Sequence, residues 1–383
     1  MKIRKNEFLF YVSFTAYYIL NMLYTTRIGN LFGVITLNDF SFILTPMVFI
    51  LGFLAAVKSI NFRHWILFAS VFGVAFIASY NSGARAVLIT ILFIICGRKI
   101  VLEDFFRYAF KLNTIMIVLI VIGNAVGLIA GEQVIRGEMV RYSLGFASSN
   151  TLAMTIFKSV LLYYVTKANI LKTRNILCLI AVVLITYYMT GSRLFALTGI
   201  IFFLLVIYER INSKAFTGKI FSIMSELILP ALTAITLYFG SVYWLQHDKL
   251  IELNELFSGR LYFINYFLTK YGITPWGQRI EFTTVRESMA SGGTWFALDN
   301  SYAYALICYG GVFFAFIALA YSVELYALIK SKKKEFVIYL ICMLFIGLTE
   351  NGVFDITFNL ALMYLTHIFS LLKKRTRDEV MID

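Results

Sequence analysis

Arginine falls in telling places along this sequence of 383 residues. Arg27, Arg85, Arg136, Arg141, Arg193, Arg260, Arg279 and Arg286 lie at or between the ends of long apolar windows on alternate connections of the chain, where the other basic residues are only Lys249 and Lys270. A guanidinium offers a planar fork that holds phosphate or carboxylate in bidentate fashion, which a lysine point charge does not. Several of these arginines sit in short polar strings. RYSLGFASSN carries Arg141 and Asn150, TGSR carries Arg193, and SGRLYF carries Arg260. LDNSYAYALICYGG carries Asp299, Asn300 and Tyr302, and TENGVFDITFN carries Glu350 and Asp355. Arginines preset to meet developing negative charge, beside carboxylates able to take a proton, suit transfer chemistry on an anionic leaving group. Each residue also has a plainer reading. Asp299 precedes a helix and suits an N-cap, Glu350 suits an ion pair with an arginine, and any one arginine suits interfacial anchoring.

The elements that must position these residues are apolar helices. Hydrophobic residues make up 60% of the chain and charged residues 14%, with a mean hydropathy of +0.81. Soluble domains run at about half apolar and a quarter charged. Windows of roughly 20 apolar residues, enough to cross a bilayer as helix, recur from end to end. The runs are continuous rather than alternating, which excludes a β-barrel reading. The sequence predicts an all-α polytopic membrane protein, a single domain of about twelve helices near 7–25, 41–57, 64–80, 84–97, 112–130, 148–166, 175–190, 194–209, 220–241, 302–322, 335–349 and 354–371.

Charge sets the expected orientation. The net charge of +13 comes mostly from short basic clusters at the other connections and the chain ends, such as those at 98–111, 330–334 and 373–377. That is the pattern of cytoplasmic loops, not of a nucleic-acid surface. Both termini are then cytoplasmic, and the arginine-rich strings face outward. One outward loop, about 242–301, is long enough for its own structure. Leu250, Leu253, Phe257, Leu261, Ile264 and Leu268 recur at helical spacing within it and predict one or two helices on or over the membrane surface. MASGGTWF at 289–296 reads as a flap, and Trp276, Trp295 and Tyr302 are candidates for stacking on sugars. Lys158 and Glu226 fall inside apolar windows, toward the cytoplasmic half, where snorkelling or mutual pairing is expected. The cysteines all lie inside apolar windows, and His64, His247 and His367 show no metal-ligand spacing, so neither a metal nor another cofactor is expected.

Taken in order, these strings resemble a family. An arginine ahead of GF-x-x-x-N comes first, then GSR at a helix entrance. A long late loop follows with SGR and an aromatic–Gly element, then DN-x-Y with glycine near the next helix start, and last E-N. The resemblance is to the O-antigen and capsular polysaccharide polymerases of the Wzy type, over about residues 136–365. It implies a membrane-embedded glycosyltransferase in a bacterial plasma membrane, acting on its outer side. Glycan repeat units held by diphosphate on a polyprenyl lipid would be the substrate. The growing chain would pass from its lipid carrier onto the next lipid-linked unit, without nucleotide sugar. In that reading Arg85, Arg141, Asn150, Arg193, Arg260, Asn300 and Tyr302 bind diphosphate or glycan, and Asp299 or Glu350 is the base. Membrane lipid, a chain-length regulator and a flippase are the expected partners.

Three alternatives remain at this level, one of them a non-enzymatic polysaccharide-export or assembly subunit, whose arginines would tolerate lysine. The related O-antigen ligases carry a histidine near the end of the long loop. Here that stretch reads LDNSY, and His247 sits at the loop's start. A flippase or other transporter of lipid-linked oligosaccharide would carry charges along a path through the membrane. This chain gathers its unexplained polar residues at one face.

Overall fold

The computed structural model describes residues 5–28, 50, 62–136, 139–283 and 296–367. The chain is mostly helical, with one small antiparallel hairpin, β1 (Gln133–Arg136) and β2 (Met139–Tyr142). Its helices are α1 (Lys5–Tyr24), α2 (Phe62–Ser82), α3 (Ala86–Cys96), α4 (Leu102–Ala125), α5 (Ser149–Lys167), α6 (Thr173–Thr190) and α7 (Arg193–Ile211). They continue as α8 (Ser213–Phe216), α9 (Lys219–Val242), α10 (His247–Leu256), α11 (Arg260–Tyr271), α12 (Ser301–Tyr304), α13 (Gly311–Lys330) and α14 (Lys334–Ile346).

Among the described residues, 5 helices are long and apolar enough to cross a membrane: α4, α6, α7, α9 and α13. Their exposed faces carry Ile115, Leu119, Leu184, Ile185, Leu204, Ile211, Ile220 and Met224. Apolar surface this continuous is suited to lipid rather than water. The sequence expectation of twelve spans is therefore met only as far as a mostly helical chain with several membrane-length helices. Apart from residue 50, the window at 41–57 lies outside the described residues.

The chain clusters into two compact units, one of residues 1–60 and 95–207, the other of 61–94 and 208–383. In the first, Asn113 of α4 ties three helices together. It accepts from the Tyr18 hydroxyl of α1 at 2.5 Å and donates to the Thr155 carbonyl at 3.1 Å and Ser159 Oγ at 2.7 Å on α5. Such an amide is fully used, which a dry interior demands. Lys158 lies here too, with Nζ 4.8 Å from the centre of the Tyr18 ring.

In the second unit α9 is the central helix. Pro230 inside it has no N–H, so the Glu226 carbonyl one turn earlier loses its helical donor. Ser322 of α13 supplies the missing bond at 2.9 Å. The Glu226 carboxylate is taken up locally, accepting from Ser222 at 2.7 Å. Gly240, near the end of α9, lets α11 come close. A Cβ there would overlap the Ile264 side chain, and Asn265 donates to the Gly240 carbonyl at 2.7 Å. The long loop thus holds two helices, as its spacing predicts, and α11 packs on α9 where Ile264 and Asn265 meet Gly240.

Two expected helices differ from the sequence reading. The window 302–322 is not one helix. α12 passes into a wider π-type turn, Ala305–Tyr309, and breaks at Gly310 (φ 92°), so the membrane-length helix runs from Gly311 to Lys330. The cause lies in the preceding loop. Gly311 N donates to Thr274 O at 2.9 Å and Val312 N to Pro275 O at 3.0 Å, which replaces helical bonding at the break. The window 354–371 is likewise no α-helix where it is described. Asp355 accepts from Thr357 N and Oγ1 at 2.7 and 2.8 Å, and Asn359 donates to Val353 O at 3.0 Å. Side chains that take over backbone partners in this way compete with helix. Only a 3-10 stretch, Leu360–His367, follows. A smaller shift affects 112–130: α4 begins ten residues earlier, at Leu102, with Glu103 and Asp104 in its first turn.

Candidate functional site

Three residues from distant parts of the sequence meet in the second unit. Arg260 opens α11, Asp299 precedes α12, and Glu350 follows α14. Arg260 Nη2 lies 3.7 Å from Asp299 Oδ2 and 3.9 Å from Glu350 Oε1. The guanidinium is held from behind. Its Nε donates to Thr349 O at 2.9 Å and its Nη1 to Phe257 O at 3.2 Å. The side chain of Arg260 is 12% exposed, and those of Asp299 and Glu350 are 23% and 22% exposed. The cluster is mostly enclosed, and each side chain keeps some contact with the surroundings.

The backbone around it is stitched in register. Asn300 caps α12, accepting from Tyr302 N at 3.1 Å and Ala303 N at 2.9 Å, while its amide donates to Leu348 O at 2.9 Å and Thr236 Oγ1 at 3.3 Å. Ser301 N donates to Gly347 O at 2.8 Å. The Tyr302 hydroxyl donates to the Leu344 carbonyl. Asn300 and Tyr302 are both buried. Their functional groups serve the fold that carries the carboxylates, and the cap belongs to Asn300, not Asp299.

Enclosure sets the protonation of the pair. Burial pushes the Asp299 carboxyl up from its ordinary value, and the Arg260 charge pulls it partly back. Burial, then the charge of Asp299, pushes Glu350 up to about 8, again opposed by Arg260. Two carboxylates competing for one cation do not both ionise readily. Arg260 therefore faces two carboxyl groups within the protein. Enclosed carboxyls beside a cation are suited to proton exchange.

The other candidates lie elsewhere. Arg85 is exposed in the turn between α2 and α3. The side chain of Arg279, also exposed, runs along the same turn, its Nε 3.7 Å from where a Cβ of Gly83 would stand. In the first unit, Arg141 on β2 donates from Nε to Thr190 O at 2.6 Å and from Nη2 to Asn150 Oδ1 at 2.8 Å. It holds the hairpin against the end of α6, where Gly191 (φ 57°) turns the chain. Arg193, at the start of α7, is exposed. Arg27 pairs with Glu132. Trp276 is exposed, whereas Trp295 and Arg286 lie outside the described residues, as does the 289–296 flap except for Phe296.

Sequence reasoning missed two residues. Ser301 joins the two segments that carry the carboxylates. Glu324 on α13 is 1% exposed, with no hydrogen-bond partner for either carboxylate oxygen among the described residues. Its signal was the helical period Ile317, Tyr321, Glu324, Leu328, hidden by placing that helix about nine residues too early.

The fold and site define a helical protein with membrane-length spans and an arginine-bridged carboxylate pair. No family model matches the chain, nor does any curated protein or solved structure.

Proposed function

We propose that this protein is a polysaccharide polymerase of the plasma membrane. It transfers a glycan chain from a polyprenyl diphosphate onto the next lipid-linked repeat unit. In this reading the chain crosses the bilayer about twelve times, both ends are cytoplasmic, and the loop bearing α10 and α11 faces outward. The observation that carries it is the meeting of Arg260, Asp299 and Glu350. Three residues of the ordered strings, far apart in sequence, form one mostly enclosed acid–base cluster.

The step balances without further reagents. The acceptor hydroxyl oxygen forms a bond to the anomeric carbon of the donor chain, and its proton passes to a carboxylate of the cluster. The bond from that carbon to the diphosphate breaks, and the electron pair leaves with the diphosphate. The exposed arginines Arg85 and Arg279, in the unit that carries the cluster, are groups of the type suited to that leaving charge.

The test uses purified protein and a synthetic polyprenyl-diphosphate repeat unit. The expected product is a ladder of lengthened glycans. Folded protein that yields single units only, with the cognate substrate, would falsify the reading. The orientation is tested separately by labelling cysteines placed at Lys249 and Lys332. Reaction from outside is expected at the first and not at the second.

A further inference from the structure

One buried carboxyl takes no part in the cluster. Glu324 sits in α13, near the end of that helix at Lys330, and is 1% exposed. Neither of its oxygens has a hydrogen-bond partner among the described residues. Helical geometry gives the side of α13 on which it stands. Ser322 faces α9, where its Oγ donates to the Glu226 carbonyl at 2.9 Å. At about 100° per residue, Glu324 lies across the helix from Ser322 and about 60° round from Tyr321, one turn further on. The Tyr321 hydroxyl accepts from Asn359 Nδ2 at 2.6 Å, and its ring lies 6.3 Å from that of Phe354. Glu324 is therefore on the side of α13 turned to Asn359 and to the stretch Leu360–His367, which packs against both α13 and α14.

Cations near Glu324 in the sequence are exposed or engaged elsewhere. Lys330 and Lys332 are exposed, and Lys330 Nζ lies over the Tyr326 ring at 5.7 Å. Lys334, which opens α14, pairs with Glu209 at 2.9 Å. The elements packed against α13 carry further titratable groups. Lys219 opens α9, whose Glu226 carboxylate accepts from Ser222. Arg63 and His64 lie in the first turn of α2, and Cys308 and Tyr309 in the π-type turn. Glu335 lies in the first turn of α14, where Tyr339 and Cys342 are buried, and the ring of Tyr364 meets Phe336 in the stretch that ends at His367. An ionised carboxylate enclosed in a spanning helix without donors is far less stable than the neutral acid.

We propose that Glu324 is an intramembrane proton-binding site: its carboxyl holds a proton while the stretch Asn359–His367 packs beside it, and loss of that proton to water opens the stretch. The 3-10 stretch is the part that gives. α9, α13 and α14 are α-helices, whereas Leu360–His367 has the poorer bonding of a 3-10 helix. It is pinned at its start by Asn359, which donates to Tyr321 and to Val353 O and accepts from Ala361 N. Water admitted there takes the proton and hydrates the carboxylate left behind. The site owes nothing to the polymerase reading.

Two measurements on the full chain in lipid nanodiscs test it. The first is the infrared carbonyl stretch of protonated carboxyl groups at neutral pH. Glu324→Gln and Glu324→Met should each remove a band that Glu226→Gln leaves in place. The Met variant keeps the length of the side chain without its polar atoms, so it reports even where the Gln amide costs the fold. A wild type without such a band, or a band that survives both substitutions at Glu324, overturns the proton site. The second is amide hydrogen exchange over residues 353–367, with wild type and variants compared in the same buffer so that the intrinsic rate cancels. In alkaline buffer the wild type should exchange at least about fivefold faster than either variant, and in mildly acidic buffer all three should agree within about twofold. Equal exchange in alkaline buffer, or slower exchange in the wild type, overturns the opening of the stretch.

Discussion

Ser301 Oγ donates a 2.5 Å hydrogen bond to the carbonyl of Glu350 and accepts one at 3.2 Å from Val353 N. This buried hydroxyl thereby clips the start of α12 to the turn after α14, the two segments that bring Asp299 and Glu350 together. A Ser301→Ala protein keeps the packing volume but leaves two buried backbone groups without their partner. The expected loss is about 1–3 kcal/mol. Thermal unfolding in detergent should show it, along with a fall in glycan extension that Ser301→Thr partly restores. An unchanged midpoint together with unchanged extension would remove Ser301 from the account.

Arg260 and its acids should behave as a unit. Arg260→Met removes the cation from two carboxylates that are each about four-fifths enclosed. The expected cost is about 2–4 kcal/mol, below that of a fully buried pair because the carboxylates keep about a fifth of their exposure. Asp299→Asn in the same protein should relieve part of that cost. A double-mutant cycle measured by unfolding is the check, and a coupling of about 1 kcal/mol or more is expected. Additive effects would mean that the observed proximity is without energetic content.

Stability should also depend on pH in a defined direction. The Glu350 carboxyl stands at about 8 in the folded chain, against an ordinary value of 4.5. Between those values the folded state binds more protons than the unfolded state, so stability falls as pH rises through this window. Below pH 4.5 the contribution is fully present, and above about 8 it is gone. Unfolding midpoints recorded from acid to alkaline buffer should decline across the window, and more shallowly in Glu350→Gln. A rise across the same window would reverse the assigned direction.

The break between α12 and α13 depends on two glycines placed backbone to backbone. A Cβ on Gly310 would come within 2.6 Å of Pro275 O, and one on Gly277 within 2.8 Å of the Tyr309 carbonyl carbon, each at a positive φ. Alanine at either position should cost well over the roughly 1 kcal/mol of the backbone conformation alone. Gly127 offers the control, since its φ is +80° and nothing lies within 4 Å of a Cβ there. Unfolding midpoints of Gly277→Ala, Gly310→Ala and Gly127→Ala should rank the first two well below the third.

Hydropathy located most helices because a long apolar window is helical in lipid and in a protein core alike. α5, α6, α7 and α9 run within a few residues of their windows. It failed where side chains compete with the backbone. The window after residue 353 contains Asp355, Thr357 and Asn359, whose polar groups take over helical partners, a detail that averaging over a window erases. The window from 302 hides a break made by bonds to the Thr274 and Pro275 carbonyls, and no local property of YGG reports a loop so much earlier in the chain. The site was legible in the same uneven way. Arg260, Asp299 and Glu350 stood out by residue type. The use of Arg260 to balance two acids, and of Asn300, Tyr302 and Arg141 to hold the backbone, depends on contacts 9 to 90 residues away along the chain.

Glycan extension by the wild type and by Asp299→Asn, side by side on one synthetic lipid-linked repeat unit, tests the central claim most directly. The account predicts a product ladder from the wild type and single units alone from the Asn protein, with both equally folded by unfolding midpoint. A ladder of wild-type length and rate from Asp299→Asn would contradict it.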